Sequence, residues 1–94
     1  MDKRVVITGL GVISPVGNDV ESMWNSVKSG KHGIGQITHF DLEGHKVTLG
    51  AEVKDFDFGD KRAAKRLDIS NQYALVAARE AIADSGIVSG ENVE

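Results

Sequence analysis

Lys61, Arg62, Lys65 and Arg66 place four of the chain's eleven basic residues within six consecutive positions, the one concentrated charge feature in 94 residues. Such clustering suits an anionic partner, because a local positive field speeds encounter with negative charge. On a helix Lys61 would lie beside Lys65 and Arg62 beside Arg66, leaving Ala63, Ala64 and Leu67 for the opposite face. Like charges at that spacing repel mildly, so a purely structural helix would be better off dispersing them. A solvated face, partly offset by Asp60 and Asp68, accounts for the same residues with no partner at all.

Three other groupings could carry chemistry. Gly9-x-Gly11-x-x-Ser14 falls one residue short of the dinucleotide fingerprint, whose third glycine or alanine permits tight helix packing. In that fingerprint the helix begins inside the glycine motif, whereas Pro15 and Gly17 here delay it to Asn18. The carboxylates Asp41 and Glu43 also lie in an irregular stretch and not at a strand tip. His32, His39 and His45 have no helical register to converge them and read as loop histidines, with no metal site. Asp55, Asp57 and Asp60 lack the bidentate Glu that a calcium loop carries at its twelfth position, so charge at a helix N-terminus explains them better. The chain has no cysteine, which removes disulfides, thiolate zinc sites and a cysteine nucleophile from its own repertoire.

The elements that must position these residues follow from local patterns. Arg4 to Thr8 is a short β-branched run without polar alternation, as in a parallel strand buried on both faces. The stretch from Gly9 to Gly17 is then a loop leaving a strand and entering a helix. Asn18 is expected to cap that helix, with Asp19 and Glu21 at its positive end, an apolar stripe of Val20, Met23, Trp24 and Val27, and Gly30 just past its end. From Lys31 to Gly44 the chain is glycine-punctuated and expected to be an ordered, irregular excursion pinned by Ile34, Ile37, Phe40 and Leu42. His45 to Val53 alternates with period two, as in a half-exposed strand. The run from Asp55 to Asp60 caps a second helix over Lys61 to Leu67, and a break at Asp68 to Ser70 precedes a longer helix from Asn71 to Ser85 that Gly86 ends. The small residues Ala74, Ala77, Ala78 and Ala81, beside Tyr73, Val76 and Ile82, suit close packing against another element. The polar tail from Val88 to Glu94 stops where such a pattern would supply its next strand.

Bulk properties set the class. A net charge of −3 argues against nucleic acid. No run reaches the roughly 20 apolar residues a membrane span needs. Thr8, Gly9 and Gly11 interrupt the early apolar stretch and no cleavage site follows, so it reads as the first strand of a cytoplasmic protein and not as a signal peptide. A domain of this length buries only about 60 to 65% of its unfolded surface.

The stretch from Arg4 to Asn18, RVVITGLGVISPVGN, closely resembles the N-terminus of the β-ketoacyl-acyl-carrier-protein synthase II family, the condensing enzymes of bacterial type II fatty acid synthesis. Trp24, the Gly30 to Gly35 stretch, and Lys61 to Asp68 leading into Gln72 to Ala78 fit the same pattern in order and spacing, so the match spans essentially the whole chain. The resemblance implies an α/β, thiolase-like layered fold, of which residues 1–94 form the first part of the N-terminal half. It implies decarboxylative Claisen condensation of malonyl-acyl carrier protein with an acyl group held on a cysteine, two histidines acting as donors, and no cofactor. No residue of this stretch matches a catalytic position. Arg62, Lys65 and Arg66 align with the family's docking surface for acidic acyl carrier protein, with Lys61 beside them. A homodimer is the assembly implied for the full-length protein. The family places an aromatic near Ile69 to Asn71 where this chain has none. A relative whose cysteine is replaced, such as a polyketide chain-length factor, a free-standing module for acidic carrier proteins, and a nucleotide-binding oxidoreductase module through Gly9 and Gly11 remain as alternatives.

Overall fold

The computed structural model describes residues 3–88 and 90–91. Met1, Asp2, Ser89 and the last three positions of the tail reading lie outside these residues. Two compact units are present: Ile13–Asp57 forms one, and the stretch up to Val12 together with that from Phe58 onward forms the other.

The unit Ile13–Asp57 opens on a tight turn in which Ser14 N donates to Gly17 O at 2.9 Å and Gly17 N donates back to Ser14 O at 3.3 Å. Pro15 at the second position of this turn has its φ already set for it. Helix α1 follows at Val20–Ser29. Its cap is Asp19 and not the expected Asn18: the Asp19 carboxylate accepts from Ser22 N at 2.7 Å, whereas the Asn18 amide donates to Lys54 O at 2.7 Å. The Ser22 hydroxyl and amide hold the Asp19 carboxyl below its ordinary range, since both bonds favour the charged form. Ser26 is the buried residue of α1 and its hydroxyl donates to Val16 O at 2.7 Å, tying the helix to the turn. Gly30 closes α1 at φ 78°, a left-handed conformation that glycine adopts without penalty.

Strands β1 (Ile34–Gln36) and β2 (Leu49–Ala51) pair antiparallel, with Ile34 opposite Ala51 and Gln36 opposite Leu49. The expected strand over His45 to Val53 thus shrinks to three residues. Its partner lies in the stretch expected to be irregular, where Gly33 and Gly35 hide any alternation. Lys54 fastens the end of β2, its Nζ donating to Gly33 O at 3.2 Å and Glu52 O at 3.0 Å.

In the other unit Arg4 to Thr8 forms no strand, which corrects the buried strand expected there. Val5 is 95% and Ile7 82% exposed. A strand exists only by pairing, and among the described residues none pairs with this segment. Just beyond it the chain meets the long helix α3 (Ile69–Ser85). A Cβ built on Gly9 or Gly11 would fall on the carbonyls of Ala81 and Ala77, so the two glycines and the two alanines make one close packing. Leu10 N donates to Asp84 Oδ2 at 3.1 Å and Val12 N to Glu80 Oε1 at 2.9 Å, so the amides that lack a strand partner find carboxylates one helical turn apart. Ala74 and Ala78 remain exposed, which limits the small-residue contact to half of the expected set.

Helix α3 begins two residues earlier than expected, after Asp68, and ends at Gly86 with φ 72°. Helix α2 spans Lys61–Ala64, shorter than the expected Lys61 to Leu67. Phe58 is buried beneath Arg79, whose guanidinium carbon lies 4.9 Å from the ring centre, a cation–π distance.

Candidate functional site

Asp60 starts the basic segment. Its Oδ1 accepts from Arg62 N at 3.0 Å and Ala63 N at 3.1 Å, satisfying two amides that a helix start leaves without partners. After α2 the winding tightens: Arg66 N donates to Ala63 O at 3.0 Å and Leu67 N to Ala64 O at 3.2 Å, bonds that close one residue sooner than in an α-helix. Lys65 N still reaches Lys61 O at 3.3 Å, so the two lysines stay one turn apart. Arg66 no longer sits in α-helical register with Arg62, and the expected i, i+4 arginine pair is corrected to that extent.

The four cationic side chains are all exposed, while Ala63, Ala64 and Leu67 are half-buried. Arg62 and Arg66 border one groove of about 430 Å³ together with Asp60, Ala63 and Leu67. Among the described residues no ion pair engages Lys61, Arg62, Lys65 or Arg66. The Asp60 carboxylate, expected to offset them in part, forms no ion pair with them among the described residues and directs Oδ1 to the backbone amides of Arg62 and Ala63.

Gln72 was not legible as part of this surface. From the second turn of α3 its Nε2 donates to Ala64 O at 3.0 Å and to Leu67 O at 3.1 Å. A lone glutamine four residues past a helix cap carries no pattern that would have revealed this. The carboxylates of Glu80 and Asp84 were also missed, although their i, i+4 spacing on the small-residue face was a usable signal.

The remaining candidates resolve into separate local contacts. His32 Nδ1 accepts from Ile34 N at 3.2 Å, and the His45 ring meets Phe40 edge-on at 5.7 Å. His39 Nδ1 lies 3.3 Å from Glu52 Oε2. Partial burial by itself would raise the Glu52 carboxyl, but bonds from Thr38 N, Thr38 Oγ1 and His39 N, with the His39 ring close by, outweigh it and lower the carboxyl below its ordinary range. Among the described residues no three His, Asp or Glu side chains come together as a metal site. The amides of Leu10 and Val12 face carboxylates, an arrangement opposite to a pyrophosphate cradle, and the two glycines of the motif pack against α3. No helix of the described residues is long and apolar enough to cross a membrane.

The fold is similar to part of a ketosynthase structure. The structure of the ishigamide ketosynthase/chain length factor superposes on 88% of this chain, and 21% of its own, with a TM-score of 0.80 and 37% identity. The profile of the β-ketoacyl synthase N-terminal domain matches residues 2–94, and the chain belongs to that family. It is 48% identical over 94 residues to 3-oxoacyl-[acyl-carrier-protein] synthase 2 of Staphylococcus aureus, covering 97% of this chain and 23% of the relative. Against the synthase of the same name from Synechocystis sp. it is 45% identical over 92 residues, covering 95% and 22%. The chain thus spans less than a quarter of the length of these relatives.

Proposed function

We propose that residues 1–94 are the opening portion of a 3-oxoacyl-acyl-carrier-protein synthase of fatty acid synthesis, and that Arg62, Lys65 and Arg66, with Lys61, dock the acidic acyl carrier protein. The observation that carries the docking is the exposed basic turn, with no ion pair among the described residues, in a chain whose relatives are named for acyl carrier protein. In this reading a cysteine sulfur takes the acyl group from its carrier thioester. Malonyl-acyl carrier protein then loses carbon dioxide, and the resulting carbanion attacks the cysteine thioester and expels the thiolate. The nucleophile and the two histidine donors belong to sequence other than these residues. This stretch contributes scaffold and carrier surface, with no cofactor, in a cytoplasmic homodimer.

Exposed pairs contribute about 0.2 to 1 kcal/mol each. Replacing Arg62, Lys65 and Arg66 by alanine in the full gene product is therefore expected to weaken acyl carrier protein binding by about 3- to 100-fold at low salt. The gap should narrow as salt screens the charges. Equal affinity of variant and parent at low ionic strength would remove the docking assignment.

The likeness to a ketosynthase/chain length factor structure favours a second reading, a chain-length-factor relative with its cysteine replaced. The rest of the gene product's sequence discriminates: a cysteine followed by two histidines supports the enzyme, and replacement of that cysteine supports the factor.

A further inference from the structure

We infer that Gln72 is a positioning residue for carrier-protein docking, an inference that rests on the docking reading above. The basic turn has little to hold its shape. Its α-helical part is only Lys61–Ala64, and an isolated helical turn is unstable without outside support. Support comes from Asp60 at one end, and at the other from the Gln72 side chain, whose single amide nitrogen bridges Ala64 O and Leu67 O at 3.0 and 3.1 Å. These two carbonyls flank Lys65 and Arg66 in the chain, so the bridge fixes the backbone on both sides of the two cations. Gln72 is itself anchored, since its N donates to Asp68 O at 3.0 Å as α3 begins. It carries no charge and is half-buried, so it contributes nothing to the field that draws an anionic partner in. Its part is to fix where Lys65 and Arg66 stand once the partner arrives.

That division gives a kinetic signature. Charge governs the association rate and its salt dependence, whereas the fit of the docked pairs governs dissociation. In the full gene product, Gln72→Met keeps the length of the side chain and removes both donors. Carrier-protein dissociation, followed by stopped flow, is expected to quicken about 3- to 10-fold, the range of one net hydrogen bond, with the association rate and its salt slope unchanged. Gln72→Asn, one methylene shorter, should give a smaller loss and provides a folded comparison if the Met variant is poorly behaved. Arg66→Ala is the contrasting variant, because removing a charge slows association and flattens its salt dependence. If Arg66→Ala acts in that way while both Gln72 variants dissociate at the parental rate, the positioning role is wrong and docking stands. If the Gln72 variants change association and salt slope as Arg66→Ala does, or lose protection throughout α3, the residue is merely structural and the inference is overturned. If the arginine variant changes neither rate, the docking reading fails and the inference falls with it.

Discussion

One carboxylate oxygen of Asp19 terminates the run of unpaired amides at the start of α1, accepting from Ser22 N at 2.7 Å. Replacing such a cap by alanine costs about 1 kcal/mol. Asp19→Ala is therefore expected to lower the exchange protection of the Ser22 amide about five-fold in the full gene product, measured by hydrogen exchange. Hydrogen bonding to Ser22 depresses the folded-state pKa, which fixes the sign of the acid response. The cap contributes fully above the unfolded value of about 3.9 and loses its contribution as pH falls through the lower folded value. Asp19→Asn keeps an acceptor oxygen but no titrating group, so its Ser22 protection should stay level between neutral and acid pH where the parent's declines. A parent profile as flat as that of the Asn variant would rule out the charged cap. Glu52 follows the same direction, holding Thr38 and His39 through a carboxyl also below its ordinary range.

At the scale of elements, the contact between the Gly9–Gly11 segment and α3 has no room to give. A Cβ at Gly11 would overlap the Ala77 carbonyl, forcing the segment off the helix and parting Val12 N from Glu80 and Leu10 N from Asp84. Overpacking of this kind costs about 1 to 3 kcal/mol, so Gly11→Ala should lower the urea midpoint of the full gene product, and an unchanged midpoint would contradict the close packing. The same contact marks how far the sequence could be read. Helix ends were legible at Gly30 and Gly86 because each depends on the chemistry of one residue, and the acidic run before Lys61 marked the start of α2 without showing which of its carboxylates caps it. The small face of α3 was legible as a packing surface, and Ala77 and Ala81 use it. Pairing was not legible: β1 is three residues among glycines, and its partnership with β2 is set by chain return and not by local pattern. Arg4 to Thr8 has the composition of a buried strand, but composition supplies no ladder partner. In the candidate site the four cations were legible as a cluster, whereas the tightened winding after Ala64 and the Gln72 bridge depend on contacts across the break at Asp68.

Over the whole molecule, burial decides whether 94 residues suffice to fold. Among the described residues Phe58 is the only apolar side chain that is buried, whereas Val5, Val6, Ile7, Leu10 and Ile82 each remain more than half exposed in its unit, and Trp24, Val27, Ile34, Val47 and Leu49 do in the other. Ordering each residue costs about 1 to 2 kcal/mol of backbone entropy, and full burial of a large apolar side chain returns about 1.5 to 3 kcal/mol. With so few side chains withdrawn from water the return falls short of the cost. Residues 1–94 expressed alone are therefore expected to lack a cooperative transition. A folded domain of this length would absorb about 65 kcal/mol at its midpoint, and calorimetry of the isolated chain should show no peak approaching that heat. Its amide spectrum should be poorly dispersed, except where the capped first turn of α1 retains fluctuating helix. The same residues within the full gene product should melt with the rest in one or a few sharp transitions, because only there do the exposed strand and helix faces find cover. A sharp calorimetric peak of that size from the isolated chain, with dispersed amide signals, would show that the two units hold themselves together and that the exposed apolar residues need no further partner.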